Sequence, residues 1–127
     1  MFPRRLHLRL YSVVCCALLS ACGGGPSAPS DGSQTTITIG PAGVSPAEVR
    51  IRRLNGVRFV NNDVRPHAIA SDPFQTHTDC PAINNVGFLN PGDSSSTRTF
   101  TEVRTCGFHD HNNETDSTLK GRIIVEE

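Results

Sequence analysis

Near the end of the 127-residue chain, Cys106-Gly-Phe-His-Asp-His111 sets a thiol, two imidazoles and a carboxylate within six residues. All three groups can bind a metal ion. On an extended strand, residues i and i+2 share a face, so His109 and His111 present two imidazoles about 7 Å apart at their Cα atoms. That spacing can chelate one ion. A second stretch, Thr76-His-Thr-Asp-Cys80-Pro, brings His77 and another cysteine, and His67 stands alone upstream. Imidazole clusters suit copper and zinc better than oxygen-rich sites do. Plainer readings stand beside this one. His67 can pin a loop, His77 can be loop surface, and His109 and His111 can face solvent. Asp63, Asp72, Asp79 and Asp110 are read as turn caps or acceptors of backbone N–H groups.

The start of the chain does not belong to the fold. Arg4, Arg5 and Arg9 precede an apolar run at 10–19, too short to span a bilayer as a permanent helix, and then Leu19-Ser-Ala-Cys22. A basic start, a short apolar core and small residues before a cleavage point make a secretory leader. Leu-Ser-Ala-Cys resembles the lipobox of bacterial lipoproteins, which implies cleavage at residue 21 and a lipid thioether on Cys22. The Gly/Pro/Ser-rich segment 22–34 reads as a flexible tether, leaving one domain at 35–127. The expected location is the bacterial cell envelope, lipid-anchored and facing the periplasm or the exterior.

Loss of the leader changes two counts. It removes three of the 12 basic residues and none of the 12 acidic ones, for a net charge near −3. Trp is absent and the sole Tyr lies in the leader. No basic patch with interleaved aromatics remains, so nucleic acid is not an expected partner. Of five cysteines, Cys80 and Cys106 remain unassigned. In an oxidising compartment two such cysteines pair most simply, and closing that loop stabilises a thin-cored domain by roughly 3–4 kcal/mol. The alternative is that one is a free thiolate on a metal.

The body of the chain reads as β. TTITI at 35–39 alternates with period two, and so does VRIR at 49–52. Asn55-Gly56 signals a tight turn into a returning strand at 57–60. Further strands are expected at 67–71, 86–89, 97–100, 103–108 and 122–125. A long loop is expected at 72–85, turns at 40–43, 90–93 and 119–121, and loop polarity at Ser94-Ser-Ser96. No segment has helical periodicity. Short strands at regular spacing suggest an all-β sandwich or barrel.

VSPAEVRIRRLNGVRFVNNDVRPHAIAS, GFLNPGDSSSTRTF and LKGRIIVEE, in this order, resemble the cupredoxins, the plastocyanin and azurin family, over 35–127. The resemblance implies a Greek-key β-sandwich with one copper ion near one end and single-electron transfer as the common role. His67 falls where the family has its first histidine ligand. Phe108 matches the family's aromatic, which puts Asp110 at the cysteine position. The second histidine would fall at 112–115, where none occurs, and Leu119 takes the methionine position. The thiolate, the second histidine and the axial thioether are therefore missing from those positions. If Asp110 replaces an inward cysteine, His109 and His111 point outward; a shift of one residue turns them inward. Gly-Phe-His-Asp-His also resembles a short copper-binding segment of copper–zinc superoxide dismutases, over five residues only.

The expected function is copper binding by His67, His109, His111 and His77, carrying or buffering copper, with zinc as the other candidate metal. Two alternatives remain open: electron transfer, which needs a free cysteine near His67, and a metal-free sandwich that binds another envelope protein. Ser94-Ser-Ser96 offers no nucleophile–base arrangement and an enzyme is not expected. The expected partners are the membrane through Cys22 and an envelope protein, and the chain is read as a monomer.

Overall fold

A computed structural model describes residues 34–127. The expected leader, Cys22 and all but the last residue of the expected tether lie outside the described residues. The strands are β1 (Thr35–Gly40), β2 (Gly43–Ser45), β3 (Glu48–Arg52), β4 (Val57–Asn61), β5 (His67–Ser71), β6 (Gly87–Leu89), β7 (Ser94–Ser96), β8 (Arg104–Asp110) and β9 (Lys120–Glu126). They form two sheets, β2-β1-β4-β7 and β3-β9-β8-β5-β6. Pairings β1/β4 and β3/β9 are parallel, and the others are antiparallel. This is the expected all-β sandwich.

Period-two alternation sorts the side chains. Ile37 and Ile39 of β1, Val57 and Phe59 of β4, Val49 and Ile51 of β3, Cys106 and Phe108 of β8, and Ile123 and Val125 of β9 all turn inward and are buried. Phe59 and Phe108 meet edge to face across the sheets at 5.1 Å. Each such buried Val, Ile or Phe side chain contributes about 1.5–3 kcal/mol.

Two connections differ from expectation. Asn55-Gly56 does not close a hairpin, because β3 and β4 lie in different sheets. Leu54 adopts φ 70, and its N–H is taken by Phe100 O, while Arg53 N–H is taken by Glu126 O. The chain thus crosses the sandwich, β3 joining β9 and β4 joining β1. Residues 97–100 form no strand, because their backbone donors serve different partners. Thr97 N–H goes to Val57 O, Arg98 N–H to Ala82 O and Phe100 N–H to Asn55 O. The strand is instead the serine run of β7, which pairs with β4. Near the end of the chain, a one-turn 3-10 helix at Ser117–Leu119 stands at the expected turn, and β9 starts at Lys120.

Cys80 and Cys106 form a disulfide with Cα atoms 5.7 Å apart, closing a span of 26 residues. It fastens the loop after β5 to the inner face of β8. The Cys80→Ala/Cys106→Ala pair is expected to lose about 3–4 kcal/mol of stability, read as a lower urea midpoint with the disulfide-intact protein as reference.

Candidate metal centre

Strand β8 separates the chemistry onto two faces. Asp110 is paired with Ile69 of β5, and His109 with Ala70. Asp110 points inward and is fully buried, with its Oδ2 2.7 Å from His67 Nδ1. His67 Nε2 lies 3.0 Å from Asp63 Oδ2. Both ring nitrogens of His67 thus face carboxylate oxygens, and the ring sits between two acidic side chains. This corrects the expectation that His67 joins the other histidines. A carboxylate stands at the resembled thiolate position, and a second one occupies the other side of the ring.

The electrostatics follow from the hydrogen bonds. Burial alone would raise the Asp63 carboxyl. Donors from Arg65, His67 and the Val64 N–H outweigh it and hold the group at about 2, below the ordinary 3.8. Burial likewise opposes ionisation of Asp110. The Ala68 N–H, His67, Asn113 and the Asn112 N–H together hold that carboxyl below the ordinary range.

The other three histidines come together on the outer face of β8. One ring nitrogen from each of His77, His109 and His111 lies within 4.8 Å of the others. A single ion with bonds of about 2.0–2.1 Å would draw them roughly 1 Å closer, and the exposed His111 has freedom to swing in. The one-residue phase left open by the sequence is thereby decided: Asp110 faces in, His109 faces out. Outward does not mean solvent-facing, because the loop after β5 folds back over this face and leaves His109 only 2% exposed.

That loop is tightly held. Asp72 N–H donates to Gly107 O, Asp79 N–H to Asp72 O and His77 N–H to Pro73 O. Cys80 N–H donates to Ser71 Oγ, and Asn84 Nδ2 to His77 O. Gln75 and His77 adopt φ 78 and φ 52, a left-handed conformation that costs a non-glycine residue about 1–3 kcal/mol. The disulfide and these hydrogen bonds keep it in place. Phe74 then packs beside the rings of His109 and His111, at centroid distances of 5.6 and 5.3 Å.

The hydrogen bonds also fix the tautomers. His109 Nδ1–H donates to Asp72 Oδ1 at 2.7 Å, which leaves Nε2 with its lone pair. This Nε2 is buried and has no hydrogen-bond partner among the described residues. His77 Nδ1–H donates to Ser71 O at 2.9 Å, leaving its Nε2 free as well. A carboxylate or carbonyl behind a ligating imidazole is the usual means of orienting the ring and raising its basicity. The sequence marks Asp72 only as a turn cap or an acceptor of backbone N–H groups. Its partner is 37 residues away, and no local pattern announces the contact. Gly107 makes room for it, since a Cβ there would lie 2.1 Å from Asp72 Oδ2.

No family model matches the chain, and no curated protein does. Solved structures do match. A purple cupredoxin from Nitrosopumilus maritimus is 20% identical with a TM-score of 0.58, covering 73% of this chain and all of that one. An amicyanin variant in its reduced state is 16% identical with a TM-score of 0.58, covering 74% and 83% of the two chains. Another amicyanin variant, in the Cu(I) form, is 17% identical with a TM-score of 0.59, covering 73% and 82%.

Two outcomes are expected. The folded pKa of Asp63 lies below its unfolded value, so its contribution to stability is complete above about pH 4. It declines as pH falls through 3.8 and is lost below about 2. Urea midpoints measured from pH 5 to 2 should fall over that window, and less steeply in Asp63→Asn. Gly107→Ala should displace Asp72 and weaken metal uptake by about 10–100-fold, read by competitive metal titration.

Proposed function

Proceeding from a divergent cupredoxin-like fold, we propose that this domain binds one copper ion through His77, His109 and His111, and carries or buffers it in the cell envelope. A lipid on Cys22 would hold the domain at the membrane there. The observation that carries the reading is His109 Nε2, a buried nitrogen with no partner among the described residues on a ring oriented from behind by Asp72. Leaving such an atom unsatisfied costs about 1–3 kcal/mol, and a metal ion removes that cost.

Imidazole donors also accept zinc. Copper is favoured by the fold's company, since the amicyanin neighbours include a Cu(I) form, while nothing comparable favours zinc. Carriage is favoured over blue-copper electron transfer because Cys80 and Cys106 are joined to each other. No free thiolate remains among the described residues. A metal-free interaction module accounts less well for a ligand-ready nitrogen held under a loop. His77 and His111 border a groove with Ala68, Ala70 and Phe88, which gives a bound ion a route for exchange.

Titration of the purified protein with Cu(II) tests the reading. One equivalent should bind, with nitrogen hyperfine structure in the electron paramagnetic resonance spectrum and only weak visible colour. His109→Ala and His77→Ala should each weaken binding by more than about 100-fold, whereas His67→Ala should still take up one equivalent. An intense blue band would mean a bound thiolate. Absence of stoichiometric uptake would leave the metal-free module.

A further inference from the structure

His111 is the least supported of the three histidines. It is exposed, lies just past the end of β8, and its ring has no hydrogen-bond partner among the described residues to orient it. His109 and His77 are each oriented by an acceptor on Nδ1. The backbone must therefore place His111, and the group that holds that backbone is the carboxylate of Asp110.

Asp110 caps the one-turn 3-10 helix His111–Asn113, where its Oδ1 accepts from Asn112 N–H at 3.1 Å. Its Oδ2 accepts from Asn113 Nδ2 at 2.7 Å. The same carboxylate accepts from Ala68 N–H of β5 at 3.0 Å and from His67 Nδ1–H at 2.7 Å. Four donors from two segments, β5 and the 3-10 turn, thus converge on one buried carboxylate. Two lock it to β5, and two bend the chain immediately after His111. A neutral amide has one acceptor oxygen and an N–H₂ group, so it cannot receive all four.

We propose that Asp110 is a positioning residue for the metal centre, fixing His111 over the outer face of β8 through the turn it caps, without touching the ion. The proposal rests on the copper reading above. Asn113 is its working partner, and Asp63, on the far side of His67, is not part of the device.

The test compares the wild-type protein with Asp110→Asn, Asn113→Ala and Asp63→Asn, each titrated with Cu(II) and read by electron paramagnetic resonance. Asp110→Asn and Asn113→Ala should bind about 10–100-fold more weakly and lose the coupling of one nitrogen. Asp63→Asn should keep the affinity and the three-nitrogen pattern. Asn113→Ala changes no charge and leaves the buried triad whole, so it separates positioning from electrostatics and from folding. A wild-type affinity and three-nitrogen spectrum in Asn113→Ala overturns the proposal, as does weakening in Asp110→Asn with all three nitrogens retained. If the wild type takes up no copper, the copper reading falls. The placing of His111 is then judged by its ring resonances in nuclear magnetic resonance, which move in Asn113→Ala if the turn places it and stay fixed if it does not.

Discussion

The hydrogen bond between the Asp110 carboxylate and the ring of His67 joins β8 to β5 where the inner face of the sandwich ends. Both groups are fully buried, so neither can be rehydrated without opening the fold. A buried contact between ionisable groups is weak evidence of net stability, because desolvation offsets much of the attraction. What it confers here is phase. With Asp110 held inside, the residue on either side of it has to lie outside, and the alternation of a single strand decides which imidazoles can meet.

On the inner face, at the end of β8, the ring of His67 thus lies between two carboxylates. The candidate metal centre lies on the opposite face of the same strand, under a loop. A fold and a site are separable in this sense. The frame supplies a rigid strand, and donors at adjacent positions of that strand serve unrelated purposes. Asp72, Gly107 and Phe74 complete the outer arrangement, one by accepting a hydrogen bond, one by leaving space and one by covering the rings.

Much of this was legible before any coordinates. The alternation of TTITI and VRIR gave β1 and β3, and the two unassigned cysteines do form the pair. Three histidines of the expected four lie together. The rest depended on long-range partners. Nothing local tells that Arg53 and Leu54 give their N–H groups to Glu126 and Phe100, which turns an apparent hairpin into a crossing between sheets. Nothing local fixes whether Asp110 or its neighbours face inward, because a one-residue slip preserves the pattern and reverses the faces. His67 was misjudged for a related reason: a histidine ligand and a histidine held between carboxylates look the same until the residues across the sheet are known.

The strand lengths have a consequence of their own. β2 and β7 bound the first sheet and β6 bounds one side of the second, and each has only three residues. The remaining boundary, β3, carries Glu48, Arg50 and Arg52 on its outer side, where Arg50 pairs with Glu126. Unpaired backbone along a sheet margin is a template on which a second chain can grow a ladder. Margins this short, or this charged, offer little template. Many copies of the domain could therefore crowd together without their sheets fusing, so self-association should begin from opened chains rather than from the native fold.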